Sequence, residues 1–197
     1  MYWKKKQVTV TNGVAIFSRL PIVDSARVHL NNWQINKNFI YADVFFNQNQ
    51  LRIYTAHLSS YIYTVKEDEG SYVGEGGYKI PNTKKQVTLY TITETEAQHE
   101  KEVAVIRNQI DKSPYAGIYC GDINATPASY TYNKLKANMQ DAFLQKGAGF
   151  GATYYGFLYT LRIDVCLVAA QLKTMQCTIP RVRLSDHFPV VTDVSWR

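Results

Sequence analysis

The sequence predicts an α/β fold in which β-sheets are flanked by helices. Apolar, β-rich runs occur both as hairpins and in alternation with helical segments, and there is no internal repeat or linker. The chain has 197 residues, of which 46% are apolar and 13% aromatic. This is enough to bury one substantial core, so we expect residues 1–197 to form a single domain.

Several segments have the pattern of β-strands. From Gln7 the residues alternate as in a strand, and "GVAIFS" is a short apolar run that ends in the turn-prone "RLPI". The segment "FIYADVFFNQNQLRIYTAHL" has two β-rich runs around residues 47–50, which predicts a hairpin. Later strands are predicted for "PYAGIYCGDIN", "LRIDVCLVAA" and "PVVTDVSW".

The helices are predicted between these runs. Residues 66–92 are rich in glycine and charge and predict a long surface loop. In "TETEAQHEKEVAVIRNQI", Thr93 and Glu96 have the spacing of a capping box, which predicts a helix start. Its apolar face is formed by Val103, Ile106 and Ile110. The segment "SYTYNKLKANMQDAF" also has a helical pattern.

The charge balance favours anionic partners without identifying one. The 22 lysine and arginine residues exceed the 16 aspartate and glutamate residues by six. Nucleic acid, phospholipid headgroups and phosphorylated small molecules all fit this excess. Ordinary solubility charge explains it equally well.

Neither the cysteine content nor the N-terminal sequence identifies the cellular compartment of the protein. Three cysteines cannot all pair within one chain, and Cys120 and Cys166 lie in apolar strand-like runs, so neither a disulfide framework nor a zinc site is supported. The N-terminal "MYWKKKQVTV" is positively charged but lacks the apolar stretch of a signal peptide. No run has the length and hydropathy of a transmembrane segment, so we expect a soluble chain.

Carboxylates occur where three apolar strands end or are interrupted, in "CGDIN", "LRIDV" and "LSDHF". Burying a carboxylate is costly unless it is paired or bound to a metal. Each has a purely structural alternative. Asp122 would cap the turn after its strand, Asp164 would pair with Arg162 or a lysine, and Asp186 would cap a loop.

Together with "TAHLSS", these motifs resemble the endonuclease/exonuclease/phosphatase superfamily of DNase I-like, metal-dependent phosphoesterases. The matching stretches, in family order, are "GVAIFSRLPI", "YTAHLSS", "CGDINATPASY", "LRIDVCLV" and "LSDHFPVV". The resemblance implies a two-sheet β-sandwich flanked by helices in four layers. It also implies hydrolysis of a phosphodiester or phosphomonoester by in-line attack of water, assisted by a metal and a histidine.

The resemblance also implies roles for individual residues. Asp186 is expected to be a metal ligand, and His187 to face the scissile phosphate. Asp164 is expected to hold His187 by a hydrogen bond that fixes its tautomer and favours the imidazolium form. A purely structural interpretation, in which the acidic residues only cap turns of a generic α/β protein, leaves five ordered motifs unexplained.

Three further residues complete the expected site. Asp122 and Asn124 correspond to the pair that orients the attacking water and contacts the metal or the phosphate, and His57 is expected to bind a non-bridging phosphate oxygen. Magnesium suits such a site because it takes one or two carboxylates and keeps several waters; manganese or calcium is the alternative. The expected partner is a phosphate-ester substrate, which includes nucleic acid.

The resemblance is incomplete at the N-terminus. In the family, a strand with a metal-site asparagine and a strand with a "QE" glutamate precede the counterpart of "GVAIFS". Here twelve residues precede Gly13, and they contain no glutamate. We therefore expect the C-terminal portion of the domain, lacking its opening strands, with weak or absent turnover. An exposed sheet edge would favour self-association or pairing with another fragment.

A second hypothesis follows from the missing glutamate, namely a catalytically inactive binding module that keeps the fold. The sequence constrains the substrate less than it constrains the type of reaction. "GFLYTLRIDV" lacks the tryptophan-cysteine signature of phosphoinositide phosphatases, and "NATPASYTYNKL" resembles bacterial members that are often exported. Tyr154, Tyr155 and Tyr159 have two interpretations, as platforms that stack on bases or as half-buried strand residues.

Overall fold

The computed structural model describes residues 13–30, 38–61, 71–73, 79–81, 89–155 and 160–197. The strands in these ranges are β1 (Ile22–His29), β2 (Asn38–Phe46), β3 (Asn49–Ala56), β4 (Ser71–Val73), β5 (Lys79–Pro81), β6 (Ala116–Asp122), β7 (Gln140–Asp141), β8 (Asp164–Val168), β9 (Leu172–Thr178) and β10 (Val191–Trp196). The helices are α1 (Leu89–Asp111), α2 (Tyr130–Lys136) and α3 (Ala142–Lys146).

The described residues form a mixed α/β structure with one large sheet and two sheets of two strands each. The large sheet has the strand order β1-β2-β3-β6-β8-β7, and β9 pairs with β10 in the second sheet. Strands β3 and β6 are parallel, as expected for neighbours whose connection contains a helix, here α1. The other pairs in the large sheet are antiparallel.

The core lies on both faces of the large sheet. Tyr119 of β6 belongs to a cluster that also includes Ile106 of α1 and Leu135 of α2. The preceding residue, Ile118, belongs to a second cluster, which includes Leu172 of β9. Successive strand residues point to opposite faces, so helices α1 and α2 cover one face and the second sheet covers the other.

Several predicted elements are confirmed. The hairpin is formed by β2 and β3, and its turn residues Asn47 and Gln48 have φ angles of 49° and 66°. The later predicted strands correspond to β6, β8 and β10. The apolar face of α1 is buried at Val103 and Ile106, and Ile110 packs against the same cluster.

The predicted start of the first helix was wrong, and the second predicted helix is interrupted. Helix α1 begins at Leu89, so Thr93 lies inside it and is not an N-cap. A capping box starts a helix only if the preceding backbone leaves the helical conformation, and extending an existing helix is easier than starting one. The segment predicted as one further helix is divided into α2 and α3. Its interruption lies at Ala137, whose φ of 41° is left-handed.

Other differences concern strands and loops. Residues 13–18 have no regular secondary structure, and β1 and β9 were not indicated by the pattern. Within the predicted loop 66–92, β4 pairs with β5 and α1 begins, while the rest of that loop and the residues from Gln7 to Asn12 lie outside the described ranges.

Strand β1 forms one edge of the large sheet, and most of its side chains are exposed. Self-association through a sheet edge stays a prediction. None of the helices in the described ranges is long and apolar enough to cross a membrane.

Candidate active site

Most of the predicted site residues converge where β6 ends and β8 begins. Asp122 is the last residue of β6 and stands opposite Asp164, the first residue of β8, in the antiparallel ladder. An isolated parallel bridge joins His57 to Asp122, and an antiparallel bridge joins Tyr154 to His187. These backbone pairings bring together residues that are up to 130 positions apart in the chain.

His187 is held by Asp164. The His187 Nδ1 lies 2.7 Å from the Asp164 Oδ2. An ionised carboxylate only accepts hydrogen bonds, so Nδ1 carries the proton and donates it. The hydrogen bond to Asp164 raises the pKa of His187; partial burial opposes this, and the charges of Asp164, Asp122 and Asp186 add to the increase. The protonated imidazole is therefore favoured.

Asp164 is positioned through Thr153, a residue that the motifs did not indicate. The Thr153 side chain is fully buried, and its Oγ1 accepts hydrogen bonds from the backbone N–H groups of Ile163 and Asp164, both at 3.0 Å. The backbone carbonyl of Thr153 accepts a hydrogen bond from the N–H of Phe188 at 2.6 Å. Thr153 therefore links the start of β8 to the turn that carries His187.

Asp122 is oriented by its own turn. The Asp122 Oδ1 accepts a hydrogen bond from the Asn124 backbone N–H at 2.8 Å, so Asp122 caps the turn as the structural alternative proposed. The Asp122 Oδ2 lies 3.5 Å from the His57 Nε2 and 3.9 Å from the His187 Nε2. One oxygen thus accepts a backbone hydrogen bond, and the other lies beside the imidazoles of His57 and His187.

Asn124 connects this turn to the loop after β3. Its φ of 48° is left-handed, a conformation that asparagine tolerates better than most residues. Its side-chain Nδ2 donates a hydrogen bond to the Leu58 carbonyl at 3.0 Å, and the Leu58 N–H donates to the Asp122 carbonyl at 3.0 Å. The amide oxygen of Asn124 is thus the atom suited to contact a ligand.

Side chains of helix α1 hydrogen-bond to the loop that carries His57. Glu102 is fully buried and accepts hydrogen bonds from the Ser59 backbone N–H at 3.0 Å and the Ser59 Oγ at 2.6 Å. His99, also fully buried, lies with its Nε2 2.6 Å from the Ser59 carbonyl, so this nitrogen is the protonated one. The pairing of "TAHLSS" with "QHEKE" was missed, because the two segments are about 40 residues apart.

Asp186 is placed differently from the other predicted residues. Its side chain is exposed, and its backbone carbonyl accepts a hydrogen bond from the Tyr155 N–H at 3.0 Å. The turn is stabilised by Ser185, whose Oγ accepts a hydrogen bond from the His187 N–H at 3.0 Å. Ser185 thus makes the local turn contact that the structural alternative assigned to Asp186.

The alternative in which Asp164 pairs with Arg162 does not hold. Arg162 donates a hydrogen bond to the Asp141 Oδ2 at 2.8 Å, and both side chains are buried. Asp141 also caps helix α3 by accepting from the Phe143 and Leu144 backbone N–H groups. Arg162 is therefore the partner of Asp141, and the Asp164 side chain is hydrogen-bonded to His187.

Tyr154 lies beside His187, and Tyr155 lies beside Tyr154. The Tyr154 ring centroid is 5.1 Å from that of His187, and the Tyr155 ring centroid is 6.4 Å from that of Tyr154. Tyr154 is partly buried and Tyr155 is exposed, so the half-buried interpretation fits Tyr154, and the stacking interpretation stays open for Tyr155. Tyr159 lies outside the described residues.

The donor set fits a hard divalent cation. Ligand-type atoms of Asp122, Asp164 and His187 all lie within 4.8 Å of one another. Asp164 is engaged by His187, so the carboxylate oxygen suited to a metal in this group is the Asp122 Oδ2. Among the described residues, the carboxylate of Asp186 does not belong to this group of neighbouring ligand atoms. A carboxylate oxygen is a ligand that hard divalent cations prefer.

We expect the substitution Asp164→Asn to lower the pKa of His187, because the neutral amide removes both the charged hydrogen-bond acceptor and its Coulomb attraction. Proton NMR titration of the imidazole C–H resonances measures this pKa directly. The chain has four histidines, so each titration can be assigned by substitution.

Asp193→Asn is the matched control, because Asp193 is an exposed residue of β10 that pairs with Gln176 of β9. It removes the same charge, and we expect it to leave the His187 titration where it is in the parent protein. An unchanged His187 pKa in Asp164→Asn would contradict the hydrogen bond.

Comparison with known proteins gives a family-model match over most of the chain. Residues 5–187 match the family model described as the Endonuclease/Exonuclease/phosphatase family. A structure of that family from Bacteroides vulgatus is 18% identical, with a TM-score of 0.63, and the match covers 90% of this chain and 66% of that one. Comparison with curated proteins gave no match.

Two similar structures have more specific names. The catalytic domain of human Nocturnin, with a bound sulfate anion, is 17% identical with a TM-score of 0.59, covering 91% of this chain and 61% of that one. A mannosyl-6-phosphatase from Bacteroides thetaiotaomicron is 13% identical with a TM-score of 0.57, covering 90% and 67%. The chain spans about two thirds of the length of these structures, and at such identities the likeness concerns the fold. The match to the family model over most of the chain shows that the protein belongs to the Endonuclease/Exonuclease/phosphatase family.

Proposed function

We propose that this protein hydrolyses a phosphate ester with the help of a divalent cation, preferably magnesium. The observation that carries the proposal is the hydrogen bond from His187 to Asp164, with Asp122 beside the other nitrogen of the same imidazole. An imidazole held in one tautomer with a raised pKa is suited to contact a negatively charged phosphate.

The reaction needs positioned groups, because a phosphate ester repels an anionic nucleophile. In our proposal, the protonated Nε2 of His187 faces the scissile phosphate and stabilises charge on its oxygens. Asp122 and Asn124 orient the attacking water, and His57 donates a hydrogen bond to a non-bridging oxygen. Asp164 keeps His187 in the required tautomer throughout.

The metal site of this proposal consists of Asp186, Asp122 and Asn124. When bound, magnesium supplies neutralisation of phosphate-oxygen charge. Among these three, Asp122 also borders His57 and His187, so a cation held there would be adjacent to the phosphate-binding histidines. The exposed side chain of Asp186 leaves it accessible to a solvated cation.

The substrate class proposed is a phosphomonoester or a phosphodiester, which includes nucleic acid. A similar structure is named as a mannosyl-6-phosphatase, and the Nocturnin domain contains a sulfate anion. The excess of 22 basic over 16 acidic residues also supports an anionic substrate. Tyr155, exposed beside Tyr154, is suited to stacking on a base if the substrate is a nucleic acid.

We expect magnesium-dependent hydrolysis of p-nitrophenyl phosphate, bis(p-nitrophenyl) phosphate or both, because neither compound needs specific recognition. Release of p-nitrophenol is measured with magnesium, manganese or calcium, and with EDTA. EDTA should abolish the turnover, and excess magnesium should restore it. Where the coding sequence continues upstream of Met1, the longer product is assayed alongside this chain. If neither protein turns over either ester with any of the three metals, the proposal is wrong.

A second candidate is a binding module that holds phosphate esters without hydrolysing them. It is favoured by the absence of a glutamate from the metal-ligand group found among the described residues. For this candidate, inorganic phosphate or sulfate shifts the NMR resonances of His57 and His187, but the ester assay shows no turnover. Measurable turnover that His187→Gln removes would exclude it.

A further inference from the structure

Two cysteines lie directly opposite each other in the large sheet. Cys120 of β6 pairs with Cys166 of β8 in the antiparallel register, and their Sγ atoms are 3.3 Å apart. Cys120 is exposed, whereas Cys166 is 5% exposed. Cys120 is thus the residue of the pair that borders solvent, and its sulfur is already in contact with the sulfur of Cys166.

The geometry points to an oxidation site: we propose that Cys120 and Cys166 form a cross-strand disulfide when the protein meets a peroxide. Directly opposite residues of an antiparallel pair have Cα atoms about 4.5–5.5 Å apart. Disulfides span Cα separations of about 4.4–6.8 Å, with an S–S bond of about 2.05 Å. The sulfurs need to approach by little more than 1 Å, roughly what small χ1 rotations provide.

The chemistry balances with one peroxide as the oxidant. The O–O bond breaks as the Cys120 sulfur is oxidised to a sulfenic acid, and one water leaves. The Cys166 sulfur then bonds to the Cys120 sulfur, the S–O bond breaks, and a second water leaves with the remaining thiol proton. Two thiols thus lose two electrons and two protons to the peroxide and yield one disulfide.

This site adjoins the candidate active site but does not depend on its function. Cys120 lies two residues before Asp122, and Cys166 lies two residues after Asp164, so all four side chains share one face of the sheet. The disulfide would join covalently the two strands that present the carboxylates beside His187. We therefore expect oxidation to shift the imidazole resonances of His187, and reduction to restore them.

The third cysteine is an internal control. Cys177 is buried on β9, in the same apolar cluster as Cys166, and its sulfur accepts a hydrogen bond from the Thr192 Oγ1 at 3.4 Å. It belongs to the other sheet and stands opposite Thr192 in the register. The proposal therefore requires that Cys177 remains a thiol after mild oxidation.

The test is to treat the protein with hydrogen peroxide and count thiols after denaturation. We expect the count to fall from three to one, the mass to fall by about 2 Da, and dithiothreitol to reverse both changes. Peptide mapping should join the Cys120 and Cys166 peptides. In Cys177→Ser, two thiols should still be lost, and in Cys120→Ser or Cys166→Ser no intramolecular disulfide should form.

Three results would overturn the proposal. These are retention of all three thiols, a disulfide that contains Cys177, and a disulfide between two copies of the chain. Mapping of the unsubstituted protein decides the matter even if the buried Cys166→Ser variant fails to fold. Because thiol counting needs no substrate, the result is independent of whether the protein hydrolyses phosphate esters.

Discussion

Turnover of a phosphate ester is expected to fall by about 10²–10⁴-fold when His187 is replaced with glutamine, the range for loss of a positioned proton-transfer or charge-stabilising group. Glutamine keeps a hydrogen-bonding side chain of similar reach but carries no charge. The loss should appear in kcat more than in KM, because the proposed contact strengthens as charge develops on the phosphate. Steady-state kinetics with magnesium measure both constants.

His29→Gln is the matched control for this variant. His29 is an exposed residue at the end of β1, on an edge strand of the large sheet, and it belongs to no part of the proposed site. We expect this variant to keep the parent kcat and KM. If His187→Gln keeps parent turnover as well, the role proposed for His187 is wrong.

The raised pKa of His187 also predicts the pH dependence of its effect on stability. Because its folded-state pKa lies above the unfolded value, the stabilisation is fully present below the unfolded pKa and is lost as pH rises through the folded pKa. The difference in Tm between the parent and His187→Gln should therefore shrink toward alkaline pH. The imidazole is 25% exposed, so solvent screening keeps this effect small.

Magnesium affinity is expected to fall by at least about 100-fold in Asp122→Asn, since loss of even an outer-shell partner typically costs about 10–100-fold. The Asp122 Oδ2 carries the negative charge that lies beside both site histidines. Asparagine preserves the acceptor for the Asn124 N–H, so the turn should be kept while the charge is lost. Isothermal titration with magnesium measures the affinity, and turnover should fall with it.

The same substitution should lower the pKa of His187, because the Asp122 charge contributes to its increase. Asp24→Asn is the control, since Asp24 is an exposed residue of β1. Unchanged magnesium affinity in Asp122→Asn would mean that the cation binds elsewhere. A lowered His187 pKa together with unchanged affinity would retain the histidine site but remove Asp122 from the metal site.

The candidate residues could be selected from sequence because they lie in ordered motifs that resemble those of a known family, several of them at strand ends. Asp122 follows a run of apolar residues that becomes β6, and Asp164 begins the run that becomes β8. Their supporting contacts had no such signal. Thr153 reaches Asp164 from eleven residues upstream, and Glu102 holds Ser59 from 43 residues downstream. Such pairings depend on the relative placement of whole elements.

The contact between the two cysteines also could not be predicted from the sequence. In the sequence, Cys120 and Cys166 are two apolar strand residues 46 positions apart, and nothing indicated that they would pair. The antiparallel register of β6 and β8 places them opposite each other, two positions from the opposed pair Asp122 and Asp164. Register is a property of two strands together, so a pattern within either strand cannot specify it.

The sequence by itself determined the fold class, the hairpin of β2 and β3, the buried face of α1 and the identity of the polar residues at the strand ends. These depend on local periodicity and on ordered motifs, which are properties of contiguous residues. Tertiary structure alone decided that Arg162 pairs with Asp141, that the side chain of Asp186 is exposed, and that two thiols meet. These contacts arise when distant strands pair and pack on a common core, where the partner of a buried group is set by geometry and not by its neighbours in the chain.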